Sequence, residues 1–264
     1  MKRTITTTTT WTTPDGYVWP LAEDILEQTH TIIGGTTGAG KSVLLHDIIF
    51  TALARSPLRC QFVFIDLKHG QELYQYSKLP HVIAYAEEPE QAIEALNKAL
   101  DIMDERNKTM RAEGKKTWSG SQVYIIADEV ADLMQTAKRP CLDQLTRLMR
   151  LGRSAGIHCI LATQNPARTS GGGIPAPIAQ NLTAGVCLRV RTATESRQVI
   201  SVPGGEKLPK HGRGLYWNAD GITEKTIPIT PEDDLNERIN YWETAVPEIT
   251  VTKEPRRKWK WFWN

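Results

Sequence analysis

The chain has 264 residues, 40% hydrophobic and 23% charged, the proportions of an ordinary globular protein, which exclude a disordered chain, a collagen-like repeat and a coiled-coil rod. Lys and Arg number 32 against 30 Asp and Glu, so bulk charge does not announce nucleic acid and any DNA contact must come from a local patch. The four cysteines, Cys60, Cys141, Cys159 and Cys187, are scattered without a C-x-x-C or Cys/His cluster, which points away from zinc and disulfides and toward a reducing, cytoplasmic setting.

Residues 1–27 read as an N-terminal arm. A Thr tract favours extended structure, Pro14-Asp15-Gly16 suits a turn, and a short amphipathic turn follows over 21–27. From His30 onward, short apolar runs alternate with longer helical patterns. Strands are predicted over 30–33, 62–66, 123–128, 157–163 and 186–190, and helices over 41–54, 89–112, 140–150 and 177–182. This alternation predicts an α/β fold with a mostly parallel central sheet flanked by helices. The uniformly apolar strands suit burial on both faces. No run of about 18 apolar residues predicts a membrane span. The expected division is an arm (1–27), a nucleotide-binding domain (28–230) and a polar tail (231–264).

Gly35-Thr36-Thr37-Gly38-Ala39-Gly40-Lys41-Ser42 matches G-x-x-x-x-G-K-[ST] in full. The glycines let backbone N–H groups turn inward around phosphate oxygens. Lys41 supplies a point charge for the β/γ-phosphates and Ser42 a hydroxyl for Mg2+. The loop stands between a predicted strand and a predicted helix, whose positive end faces the anion. ATP and Mg2+ are therefore the expected ligands.

The next strand ends in Asp128-Glu129. At the carboxyl edge of a parallel sheet this pair lies beside the phosphate loop. Asp128 is then a Mg2+ contact and Glu129 a base that polarises the attacking water; the alternative is an ordinary acidic helix cap. The strand over 157–163 runs into Gln164, a polar tip suited to report on the γ-phosphate. Arg153 precedes that strand and is either a surface charge or a finger supplied to a neighbouring subunit.

Together these segments resemble the motor domain of the FtsK/SpoIIIE family of DNA translocases, in the wider HerA-FtsK group. The strings that carry the resemblance are GGTTGAGKSVLL, IIADEVADLM, RSAGIHCILATQNP, ESRQVIS and GGEKLPKHGRGLY, with Asp66-Leu67-Lys68 and Leu79-Pro80-His81 between them. They run in order from about residue 28 to 218. The resemblance implies a RecA-like P-loop ATPase that forms a homo-hexameric ring around double-stranded DNA. It puts Arg153 on the trans-acting arginine, Gln164 on the sensor and Arg197 on a family S-R motif. Asn165 and Ala193 stand where the family carries basic residues facing DNA. Arg168, Arg189 and Arg191 are the candidates to replace those charges; the alternative for Arg189 and Arg191 is the solvent face of a strand. The upstream coupling domain and membrane helices of longer relatives, and their downstream winged-helix domain, are expected to be absent.

The leading expectation is an ATP-driven double-stranded DNA translocase serving a plasmid, integrative element or phage. The alternatives are a packaging or conjugative coupling ATPase on single strands, or an assembly ATPase that moves no DNA. Residues 253–264 combine Arg256, Arg257, Lys258 and Lys260 with Trp259, Trp261, Phe262 and Trp263. This suits docking at the inner face of the membrane or to a membrane-bound or recruiting partner, stacking on single strands, or a frayed end without a role.

Overall fold

The computed structural model describes residues 20–166, 174–227 and 232–244. Its elements run α1 (Pro20–Leu26), β1 (His30–Gly34), α2 (Lys41–Arg55), β2 (Cys60–Ile65), β3 (Val82–Ala86), α3 (Pro89–Ala112), β4 (Gln122–Ala127), α4 (Val130–Thr136), α5 (Lys138–Leu151), β5 (Ile157–Thr163), α6 (Ala176–Ala179), β6 (Ala184–Cys187), α7 (Ala193–Ile200), β7 (Arg213–Asn218), β8 (Gly221–Thr226) and α8 (Glu232–Thr244). All eight strands join one sheet in the order β3-β2-β4-β5-β1-β6-β7-β8. The first six in that order are parallel, and β7 and β8 close the far side as an antiparallel hairpin. The expected α/β class, a mostly parallel sheet flanked by helices, is the observed one.

The inner strands β1, β4 and β5 are buried on both faces because helices cover both. One face packs Leu96, Ala99 and Met103 of α3, Leu145 and Leu148 of α5, and Val199 and Ile200 of α7 against Val123, Ile125, Cys159 and Leu161. The other packs Leu44, Ile48 and Leu53 of α2 against Phe62, Phe64 and Ile160, with Ile25 of α1 and Leu235 and Ile239 of α8 in the same apolar cluster. Thus α8 joins the core, although residues 231–264 read as a polar tail. α3 begins where the sequence predicts because Pro89 occupies its first turn, and Gln91 Oε1 accepts from the backbone N–H groups of Glu87 and Glu88, satisfying donors a helix start leaves open.

Two predicted elements are corrected. The strand predicted over 186–190 ends at Cys187: Leu188 N still bonds Gly34 O of β1, but Arg189 and Val190 bond Thr36 of the phosphate loop and Gly205 instead of a strand. The helix predicted over 177–182 is the four-residue α6. β3, β7 and β8 were not anticipated: they lie at the sheet margins, where burial is incomplete and β8 is almost wholly exposed.

The turn between α5 and β5 is held with unusual completeness. Arg106 of α3, itself buried, donates through Nη1 to Ala155 O at 2.8 Å and Gly156 O at 3.3 Å, and its guanidinium lies 5.0 Å from the Trp118 ring. Trp118 N donates to Ser154 O at 2.8 Å, and Gly156 N to Arg153 O at 3.2 Å.

Candidate active site

Residues 35–42 leave β1 and enter α2 at the carboxyl edge of the sheet. Gly35 N donates to Thr163 O at 3.1 Å and Thr36 N to Arg189 O at 2.9 Å; Thr36 Oγ1 donates to the same carbonyl at 3.1 Å. The loop is thus fastened to the end of β5 and to the segment that follows β6. Gly38 and Gly40 have φ of 72° and 99°, a region strained for any residue with a β-carbon. α2 starts at Lys41, so its unpaired amides and positive dipole end face the loop. Lys41 is buried, and Nζ donates to Gly35 O at 2.9 Å and Thr36 O at 3.4 Å. Burial lowers its pKa, against the opposing pull of Asp128 and Glu129. Ser42 is half-buried in the first turn of the helix.

The register of β4 against β2 pairs Ala127 with Ile65, which brings Asp128 and Asp66 side by side at that edge. Asp128 is 2% exposed. Burial raises its carboxyl pKa, opposed by the Lys68 ammonium, whose Nζ is 3.2 Å from Oδ2. Glu129 caps α4, accepting from Ala131 N at 3.4 Å. Its second oxygen accepts from Gln164 N at 2.8 Å. The Gln164 side chain in turn accepts from Thr37 Oγ1 at 2.8 Å. One residue therefore touches the acid with its backbone and the phosphate loop with its side chain. Gln164 thus links Thr37 of the phosphate loop to Glu129.

The residues fit Mg2+ with a nucleotide. Among the described residues no group of three His, Cys, Asp or Glu side chains could hold a metal alone. Mg2+ dehydrates reluctantly and is commonly held by one or two protein oxygens plus phosphates; Asp128 and Ser42 are the residues that would hold it here. An ammonium already lies against Asp128, so the position suits a cation. Such an ion would neutralise charge on the phosphates; the protein's part is to orient the loop and hold the acids.

Arg153 lies at the opposite edge. It is exposed in a 3-10 turn (Arg153–Ala155) before β5, whereas the phosphate loop adjoins the end of that strand. The seven residues of β5 at about 3.3 Å each separate them by roughly 20 Å, farther than an arginine side chain extends. The DNA candidates part company. Arg189 is half-buried; its guanidinium donates to Leu208 O while its carbonyl holds Thr36. Arg191 is exposed before α7. Arg168 lies outside the described residues, as do 1–19 of the arm and the basic, Trp-rich end of the tail. Asn165 N donates to Thr163 Oγ1 at 3.2 Å, and Ala193 opens α7. Lys68 was not anticipated as a site residue. The one available signal was Asp66-Leu67-Lys68 at the end of an apolar strand.

The profile of the FtsK/SpoIIIE family matches residues 13–125 and 120–168. The chain is 32% identical over 218 residues to the DNA translocase FtsK of Lactococcus lactis subsp. cremoris, covering 75% of this chain and 28% of that protein. It is 32% identical over 259 residues to the DNA translocase SpoIIIE of Bacillus subtilis, covering 84% and 32%. It thus spans about a third or less of the length of these curated relatives. Among solved structures, the pCW3 conjugation coupling protein TcpA, in a monomer form with ATPγS, aligns with a TM-score of 0.70 at 22% identity over 82% of this chain and 66% of that one. EssC (ATPases 2 and 3) of Geobacillus thermodenitrificans aligns with a TM-score of 0.70 at 20% identity over 83% and 44%. These two likenesses speak to the fold, a P-loop ATPase fold, and the profile match speaks to descent: the chain belongs to the FtsK/SpoIIIE family.

Proposed function

We propose that this chain is an ATP-hydrolysing motor that moves double-stranded DNA as an oligomeric ring, a homo-hexamer by family resemblance, with Mg2+ as cofactor and the cytoplasm as its setting. The observation that carries hydrolysis is the Glu129–Gln164–Thr37 chain of contacts, which joins a candidate base to the phosphate loop. In this reading Lys41 and the loop amides bind the phosphates, Asp128 and Ser42 hold Mg2+, and Glu129 accepts the proton of the attacking water. The relatives named as DNA translocases support DNA as the moved substrate.

The ring is supported by the placement of Arg153. At the far edge of its own sheet it serves no phosphate in its own subunit, so a role in transition-state neutralisation requires a neighbour. The test is steady-state ATP hydrolysis with and without duplex DNA across a salt series. Several-fold stimulation that fades as salt rises is expected, because phosphate contacts release counterions. Equal rates with and without DNA, in protein shown to hydrolyse ATP, would refute DNA as the substrate and favour an assembly ATPase.

A further inference from the structure

Lys68 is placed by its surroundings rather than by chance exposure. It lies in the loop that leaves β2, and Asp66, fully buried at the strand end, organises that loop. Asp66 Oδ2 accepts from the backbone N–H of Glu72 at 2.8 Å and of Leu73 at 2.9 Å; Oδ1 accepts from Lys68 N at 3.3 Å. The chain reverses through His69 and Gly70, with φ of 58° and 70°. A β-carbon on Gly70 would fall 2.4 Å from the Tyr85 hydroxyl oxygen, so the reversal is tight on both counts. The result aims the Lys68 ammonium between the two acids, 3.2 Å from Asp128 Oδ2 and 3.6 Å from Glu129 Oε2.

A buried carboxylate pair without a cation is expensive, since desolvation and mutual repulsion add. Burial by itself would lower the Lys68 pKa, yet Asp128 and Glu129 outweigh it and the net shift is upward. At 3.2 and 3.6 Å from the two carboxylates, the Lys68 ammonium is the cationic partner of the pair. In the reading above the same carboxylate serves a nucleotide-bound divalent ion, and an ammonium and Mg2+ held against one carboxylate repel each other. Because Mg2+ brings two charges where the ammonium brings one, it has the Coulombic advantage.

We propose that Lys68 is a resident counter-cation that holds the place of Mg2+ between Asp128 and Glu129 and yields it when the metal–nucleotide complex arrives. This rests on the reading of Asp128 as a Mg2+ contact. The device holds the acids in place between nucleotides, and it raises the Mg2+ concentration at which the metal enters without a nucleotide.

The test is calorimetric titration of Mg2+ alone, and of ATP over a Mg2+ series, into wild-type protein and the Lys68→Met and Lys68→Arg variants. Lys68→Met is expected to bind Mg2+ alone at least tenfold more tightly than wild type. It should reach saturating ATP affinity at correspondingly lower Mg2+, with that saturating affinity within about twofold of wild type. Lys68→Arg, which keeps the charge, should stay close to wild type. Unchanged Mg2+ dependence in Lys68→Met would overturn the proposal, and so would weaker ATP binding at saturating Mg2+, the mark of a direct phosphate contact. Asp128→Asn separates the two layers: if it leaves the Mg2+ dependence untouched, the metal reading of Asp128 fails; if it shifts it while Lys68→Met does not, only the counter-cation fails. In intact wild-type protein, the Lys68 Cε resonance should move when Mg2+ joins bound ADP and not when ADP binds in chelator. A resonance that ignores the metal overturns the proposal even if Lys68→Met does not fold.

Discussion

Replacing Glu129 by Gln tests the hydrolytic reading most sharply, because the structure separates its two consequences. The two carboxylate oxygens accept different amides, Gln164 N at 2.8 Å and Ala131 N at 3.4 Å. A glutamine has one acceptor oxygen. It keeps the shorter bond and turns its NH2 toward Ala131 N, so the α4 cap is lost at about 1 kcal/mol. For a domain of this size that lowers the melting temperature by roughly 2–4 °C. Loss of the base is a different scale of effect, about 10²- to 10⁴-fold in turnover, or roughly 3–5 kcal/mol of barrier. Nucleotide binding is spared because Lys41 and the loop amides are untouched. The assays are phosphate release with duplex DNA present, binding of a fluorescent ATP analogue, and thermal unfolding. Turnover within tenfold of wild type, in protein that binds nucleotide and melts within a few degrees of it, would show that Glu129 is a helix cap and that the base lies elsewhere.

Arg153→Ala is expected to bind ATP normally and fail to hydrolyse it, and mixed assemblies with Lys41→Ala should recover part of the activity, measured as phosphate release; no recovery in assemblies shown to contain both chains counts against action in trans. Arg191→Ala should reduce the salt slope of duplex binding by about one, whereas Arg189→Ala should weaken ATP binding instead, since its backbone and side chain tie Thr36 to Leu208; a lost DNA slope in the second variant would reverse that assignment. Stability should fall as pH drops from about 6.5 toward 4. His30 donates from Nε2 to Met149 O and accepts at Nδ1 from Cys159 N, which requires the neutral ring, and burial lowers its pKa to about 4, as it does for His46. The unfolded chain takes up these protons first, so each ring removes on the order of 2 kcal/mol by pH 5; a urea midpoint unchanged between pH 7 and 5 contradicts this.

How much of this was legible in the sequence depended on burial. The inner strands announced themselves because both faces are covered and every residue over 157–163 but His158 and Thr163 is apolar. The outer strands did not: the hairpin of β7 and β8 mixes polar and apolar residues with no firm period, and Val82–Ala86, though apolar throughout, is a five-residue run that periodicity alone does not assign to a strand. α8 carried Leu235, Ile239 and Trp242 at helical spacing, yet the polar composition around them masked it. At the site, the phosphate loop, Asp128 and Glu129 were readable because their spacing is local. The Gln164–Thr37 and Arg189–Thr36 contacts join residues 127 and 153 positions apart, and only the strand order creates them. Lys68 escaped for the same reason: its partners come from the neighbouring strand, β4.

The turn bearing Arg153 has its four successive carbonyls, from residue 153 to 156, engaged by Gly156, Trp118, Arg106 and, at the last, both Arg106 and Val123. Such a turn holds the backbone under Arg153 in place. Arg106 roots it in the last third of a 24-residue helix, so the turn travels only when α3 and the sheet travel with it. If Arg153 meets a neighbour's phosphates, it does so as a fixed cam on a rotating wheel: engagement and release are set by the angle between whole subunits, and a nucleotide that alters that angle in one member of a ring shifts the timing of the next.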